Sequence, residues 1–158
     1  MIRIGIGYDS HRLVSGRPLI LGGQRVPFDL GLAGHSDGDA VAHALTDALL
    51  GAAALGDIGK LFPDTDPRWK DADSLQLLRQ AVGVLRQRGF APLQADITVI
   101  AERPKLGSFL AAMAEALSGA TGIPAAAIGL KAKTNEGMGF IGRGEGIAVI
   151  AVATVEAA

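Results

Sequence analysis

The chain has 158 residues, 49% apolar and 20% charged, with a formal net charge of −1, so it reads as one globular domain (1–158) with no basic footprint for nucleic acid. It contains no cysteine, which removes disulfides, thiolate metal sites and a cysteine nucleophile together. Glycine reaches 22 residues while aromatics are only 4%, so the backbone turns often and can approach other groups closely.

Ile2, Ile4 and Ile6 alternate with Arg3, Gly5 and Gly7, the period of a strand rather than the charged start and long apolar run of a signal peptide. No run approaches the roughly 18 apolar residues that span a bilayer, so no membrane contact and a cytoplasmic location are expected. The strand ends at Tyr8–Arg12, where Asp9 and His11, two apart, leave the same face of an extended chain. Leu19–Leu21 and Gln24–Val26 flank Gly22-Gly23, a hairpin pattern. His35–Gly38 is a turn of small polar residues, with Ser36 or Asp37 placed to cap a helix running from Ala40 to Leu55. On that helix Asp39, His43 and Asp47 fall in one column, and such a column is costly to bury without partners.

Gly56-Asp57-Ile58-Gly59 follows, and the prolines of Phe62-Pro63-Asp64-Thr65-Asp66-Pro67 make that stretch a loop. Asp73 or Ser74 caps a second helix through Arg88, ended by Gly89. Ala95–Ala101 reads as a strand closed by Glu102-Arg103-Pro104-Lys105, then comes a third helix, about Phe109 to Leu117. Ile128–Lys133 is a short strand, and Glu136–Gly146 a glycine-rich loop. The last strand, Ile147–Val155, is apolar on both faces, which calls for a second cover from a neighbouring subunit. This order predicts an α+β fold: a four-stranded mixed sheet with helices on one face, plus a small β-hairpin.

Asp9 and His11 from a strand end, with His43 from a helix, make a three-point set suited to Zn²⁺ with a fourth position open. His35 is a poorer ligand, about 12 Å along the axis from His43 if the helix begins that early. On spacing alone Asp39 competes with Asp9, and the choice stays open. Gly137-Met138-Gly139-Phe140-Ile141-Gly142 matches G-x-G-x-x-G, but an apolar strand rather than a helix follows, so it is not a dinucleotide site. Backbone amides near Lys133-Thr134-Asn135 are suited to phosphate, with Glu136 free for a hard cation such as Mg²⁺; a plain surface hairpin explains the same residues equally well.

Six ordered motifs resemble the 2-C-methyl-D-erythritol 2,4-cyclodiphosphate synthase family over nearly the whole chain: Gly7–Arg12, His35–Ala40 with His43, Gly56–Gly59, Phe62–Pro67, Ile100–Leu106 and Lys131–Gly146. That resemblance implies that Asp9, His11 and His43 hold one Zn²⁺ per subunit, and that Asp39 does not. It implies that Ser10, His35 and Ser36 lie against substrate, His35 acting with Thr134 in catalysis. Asp57, Ile58, Gly59, Phe62, Pro63, Asp64, Thr65 and Asp66 would line the methylerythritol pocket. Ala101, Glu102, Arg103, Pro104, Lys105, Leu106 and Gly107 would form the cytidine pocket. Ala132, Lys133, Thr134, Asn135 and Glu136 would reach the diphosphate from a neighbouring subunit, Glu136 binding Mg²⁺ or Mn²⁺. The family's members are homotrimers with sheets packed around the trimer axis and active sites between subunits. Phe140 and Arg143 would sit near that axis, where some members hold an isoprenoid diphosphate. Lys133 departs from the threonine many members carry and adds a positive charge beside the expected phosphates. Members fused to a cytidylyltransferase are longer than this sequence.

Overall fold

Residues 1–157 are described by a computed structural model. Strand β1 (Ile2–Val14) is followed by a hairpin of β2 (Leu19–Leu21) and β3 (Gln24–Val26), then the two-residue β4 (Gly31–Leu32) and helix α1 (Ala40–Ala52). After the single turn α2 (Ile58–Leu61) come α3 (Ser74–Gln87), β5 (Phe90–Ile100), α4 (Leu110–Thr121), β6 (Ile128–Lys133), the single turn α5 (Gly139–Gly142) and β7 (Gly146–Ala157). The main sheet runs β4-β1-β7-β5-β6, antiparallel except for β5 and β6, whose parallel pairing requires the crossover that α4 supplies. Four long strands and the hairpin are thus as expected, with β4 added as a fifth, two-residue edge.

The alternation in β1 is real, but its faces carry an inverted polarity. The glycine face is the covered one. A Cβ on Gly7 would stand 1.9 Å from the carbonyl oxygen of Ala44, and one on Gly5 would stand 2.1 Å from that of Ala48. Helix α1 therefore lies directly on the backbone of β1, and this close approach brings His43 over the end of the strand that carries Asp9 and His11. The isoleucine face is open in the single chain: Ile4 and Ile6 are each 70% exposed, with Ile2, Tyr8 and Ile150 beside them.

Helix α1 is apolar nearly all round because it is sandwiched between the sheet and α3, with Val41, Ala44, Leu45, Ala48 and Leu49 fully buried. Its cap is neither Ser36 nor Asp37 but Asp39, whose side chain accepts from the Ala42 amide at 3.0 Å. The same carboxylate accepts from the Gly22 and Gly23 amides at 2.9 and 2.8 Å, fastening the hairpin turn to the helix start. Both turn glycines have positive φ (+56° and +72°), as a two-residue hairpin turn of this hand requires. Burial lifts the Asp39 carboxyl to about 6, with the Asp37 charge adding to the shift and the three amides opposing it. Asp39→Ala removes a cap and leaves two further amides without their acceptor, a loss of about 2–3 kcal/mol. We expect the midpoint of thermal unfolding to drop by about 5–10 °C in that variant, with bound metal unchanged.

The end of α1 also departs from the expected Leu55. Leu55 N donates to Leu50 O and Ala54 N to Gly51 O, a Schellman closure in which Ala54 takes the left-handed position (φ +58°) normally given to glycine. Strand β5 starts earlier than Ala95, at Phe90, because a register shift between Pro92 and Gln94 admits the proline into the ladder. Helix α4 runs on to Thr121 and is stopped by Gly122 at φ +80°. The glycine-rich loop contains one helical turn, α5, before β7.

Candidate metal centre and substrate pocket

Asp9 and His11 share the face of β1 that looks at α1, and His43 descends from the helix to meet them. His11 Nε2 lies 2.7 Å from Asp9 Oδ2, His43 Nδ1 lies 3.1 Å from the same oxygen, and the two ring nitrogens are 3.3 Å apart. These three atoms are the group that can hold a metal ion among the described residues. Donors that share a tetrahedral Zn²⁺ at bonds of about 2.0–2.1 Å stand about 3.3 Å apart, so the cluster needs only a slight spreading of Asp9 to receive one.

The outer hydrogen bonds orient both rings for that task. His11 Nδ1–H donates to the Ala33 carbonyl at 2.6 Å, which leaves the Nε2 lone pair facing the cluster. His43 Nε2–H donates to Ser74 Oγ at 2.8 Å, which leaves Nδ1 facing it; Ser74 Oγ in turn donates to the Asp37 carboxylate. Asp37 is held by the amides of Ser74 and Asp39, each at 3.0 Å. The chain from Asp37 through Ser74 thus fixes the His43 tautomer, and the sequence showed Ser74 only as a helix-cap candidate. Ser74→Ala should weaken zinc binding about 10–100-fold while the fold stays intact, read by competition with a chelator. Equal zinc affinity in the variant would show that Ser74 does not orient the ring.

Asp9 ionises more readily than usual: burial opposes its charge, but hydrogen bonds and charge from His11 and His43 outweigh that cost. His11 is shifted upward, burial acting against and the Asp9 carboxylate prevailing. The rest of the polar column on α1 stands apart. Asp39 is committed to three amides, and Asp47 accepts from the Ile58 amide at 2.7 Å, which anchors the start of α2. Burial raises the Asp47 carboxyl, with the charges of Asp57 and Asp9 adding to that shift.

A cavity of about 440 Å³ opens beside the cluster, lined by His11, His35, Ser36, His43, Ile58, Gly59, Phe62, Pro63, Asp64, Thr65, Trp69 and Leu77. The loop from Phe62 to Thr65 and the Ile58-Gly59 turn thus share one wall with the histidines. His35 donates from Nε2 to the Asp66 carbonyl at 3.2 Å, tying the two loops together. The buried Ser36 hydroxyl sits 3.0 Å from His43 Nε2. Asp57 and Asp66 do not line the cavity: Asp57 caps α2 through the Lys60 amide at 2.9 Å, and Asp66 pairs with Arg68 at 2.7 Å. Trp69, the single tryptophan, packs edge-on against Phe62, with ring centroids 5.0 Å apart. Neither Trp69 nor Leu77 was marked by any motif.

A second cavity of about 320 Å³ is formed by Ala101, Glu102, Pro104, Lys105, Leu106, Gly107, Leu110, Ala132, Lys133 and Thr134. It lies at the far edge of the sheet, where the parallel ends of β5 and β6 open together, the usual place for a ligand in such a pair. Arg103 stands outside it, its guanidinium over the Phe28 ring. Asn135 and Glu136 continue the exposed loop beyond it. Ser10 points to the opposite face of β1 from Asp9 and His11, into a depression shared with Phe140, while Arg143 pairs with Glu145 at 3.0 Å.

Residues 2–156 match the YgbB family. A 2-C-methyl-D-erythritol 2,4-cyclodiphosphate synthase of Symbiobacterium thermophilum is 57% identical over 152 residues, which span 96% of this chain and 97% of that one. Among solved structures, a 2C-methyl-D-erythritol-2,4-cyclodiphosphate synthase in its CDP-bound form is similar over 98% of this chain and 100% of that one, at a TM-score of 0.89 and 47% identity. The bifunctional IspDF of Campylobacter jejuni is similar over the whole of this chain, at a TM-score of 0.96 and 45% identity, but this chain spans only 43% of it.

Proposed function

The chain belongs to the YgbB family, and on that footing we propose that it converts 4-diphosphocytidyl-2-C-methyl-D-erythritol 2-phosphate to 2-C-methyl-D-erythritol 2,4-cyclodiphosphate and CMP, a phosphorus–oxygen lyase step of the non-mevalonate isoprenoid pathway. The observation that carries this reading is the Asp9–His11–His43 cluster opening onto a cavity, in a chain that matches such synthases across 96% of its length.

In this reaction an oxygen of the 2-phosphate attacks the β-phosphorus. The bond from that phosphorus to the bridging oxygen breaks, and its electron pair leaves with CMP; no water is consumed. The protein's task is to fold the substrate back on itself and to offset the charge of one anion attacking another. Asp9, His11 and His43 would hold Zn²⁺, which supplies Lewis acidity and a fixed template for phosphate there. Glu136 would hold Mg²⁺ or Mn²⁺, which supplies further positive charge beside the diphosphate. His35 and Ser36 line the cavity next to the cluster and would orient the phosphate end. Thr134 Oγ1 accepts from the Glu136 amide at 3.2 Å, which leaves its hydroxyl hydrogen to donate to the diphosphate. Lys133 adds a cation at the same place, and the Ala101–Gly107 segment would receive the cytosine.

The two cavities occupy separate parts of the single chain, and the isoleucine face of β1 and β7 is uncovered in it. Both features support a homotrimer in which the open face is buried and each active site combines the cavities of neighbouring subunits. Phe140 and Arg143 would then face the axis, in reach of an isoprenoid diphosphate. Among the described residues no helix is long and apolar enough to cross a membrane, and action in the cytoplasm is part of this proposal.

Turnover in ¹⁸O-enriched water separates cyclisation from hydrolysis. The reading expects CMP and a product free of solvent label; solvent oxygen in the product would make water the nucleophile and overturn it.

A further inference from the structure

Beyond that reading, and resting on it, we infer that Glu102 is a positioning residue whose carboxylate holds the Thr134–Gly137 loop in the shape that aims Thr134 and Glu136 at the diphosphate. Glu102 belongs by sequence to the cytidine segment and lines the second cavity, and its carboxylate reaches across to the Thr134–Gly137 loop. Oε2 accepts from the Asn135 amide at 3.2 Å, and Oε1 accepts from the Gly137 amide at 2.7 Å. Both oxygens are therefore engaged by one loop across a sequence gap of more than thirty residues.

The loop needs such a clamp. The β5–β6 ladder ends at the pairing of Ile100 with Lys133, and one further bond joins Ala101 N to Lys133 O. From Thr134 to Gly137, the Glu102 carboxylate makes the only hydrogen bonds to another element among the described residues. The loop is largely exposed, and Glu136 sits at φ +54°, where a residue with a side chain is disfavoured unless its surroundings hold it. Two charge-assisted bonds, one to each neighbour of Glu136, supply that hold. A glutamine of the same size keeps one acceptor but sets its NH₂ group against an amide N–H, so it breaks half of the clamp with little change in packing.

The test is Glu102→Gln, compared with the parent as the zinc-loaded full-length protein. Three readouts are taken: Mn²⁺ affinity by electron paramagnetic resonance with CDP present, hydrogen exchange at the Gly137 amide without any ligand, and the split of kcat from KM. We expect Gly137 to exchange at least tenfold faster, Mn²⁺ to bind about tenfold more weakly, and kcat to fall with KM little changed. Zinc content and the thermal midpoint should stay as in the parent, and excess Mn²⁺ should restore part of the rate. In a Glu136→Gln background the further change at Glu102 should leave Mn²⁺ affinity unaltered, because it acts through Glu136. Unchanged exchange at Gly137 would overturn the clamp. Unchanged Mn²⁺ affinity with weaker CDP binding would overturn it too, by making Glu102 a nucleotide contact. Absence of cyclic product from the parent would count against the proposed function instead, since the exchange measurement is made without substrate.

Discussion

Replacing His43 by Ala is expected to strip the metal from the protein. Removing one of three protein ligands costs roughly 3 kcal/mol if a zinc binding energy of about 10–16 kcal/mol is shared among four ligands, or about a hundredfold in affinity. Zinc content per chain after dialysis should fall from about one to near zero, with turnover lost alongside it. The side chain is only 12% exposed, yet its loss does not orphan a charge, because Ser36, Ser74 and Asp37 can pair among themselves. The fold should therefore survive.

Acid should do reversibly what that substitution does permanently. The pairing with Asp9 raises His11 above its usual 6.5 despite its burial, so in the metal-free fold the charged pair is stabilising below 6.5 and that contribution fades as pH rises through the folded value. Zinc requires the neutral ring. Its affinity should accordingly rise with pH up to the His11 value, and fall about tenfold per unit of acidification below it. Titration of zinc release against pH checks this; an affinity flat from pH 5 to 8 would contradict ligation by His11.

The second large effect is expected at a residue with no functional group. Gly7→Ala puts a methyl group 1.9 Å from the Ala44 carbonyl oxygen and 2.8 Å from the Ala48 amide nitrogen. Both are helix backbone and cannot swing aside, so α1 must lift from β1. We expect a loss of about 4 kcal/mol, beyond the usual overpacking range, and a thermal midpoint lower by about 10–15 °C. Zinc affinity should fall at the same time, because lifting α1 carries His43 away from Asp9 and His11. Calorimetry with and without zinc separates the two effects; a variant as stable as the parent would mean that the helix does not rest on the strand.

The contrast between Gly7 and its neighbours shows how far the sequence could be read. Alternation of isoleucine and glycine identified β1, and two-residue spacing put Asp9 and His11 on one face. Which face turned inward was hidden, since hydrophobicity pointed to the isoleucines and close helix approach selected the glycines. Gly22-Gly23 marked the hairpin because positive φ at both positions has few other solutions. Ala54 hid the end of α1 for the converse reason: it adopts the left-handed cap without being glycine. Spacing left Asp39 and Asp9 as equals. The family resemblance set them apart, and the fold shows why: the amides of Gly22, Gly23 and Ala42 take one carboxylate and two imidazoles take the other. The Ser74 and Glu102 contacts were out of reach of any local pattern, because each joins segments more than thirty residues apart through an ordinary polar side chain.

Phosphorus NMR of the zinc-loaded protein with the cytidyl diphosphate substrate and Mg²⁺ should decide whether this centre cyclises its substrate. CMP and a cyclic diphosphate are expected in equal amounts, with no inorganic phosphate. CMP accompanied by an open-chain 2,4-bisphosphate would contradict cyclisation, and would make this centre a hydrolase.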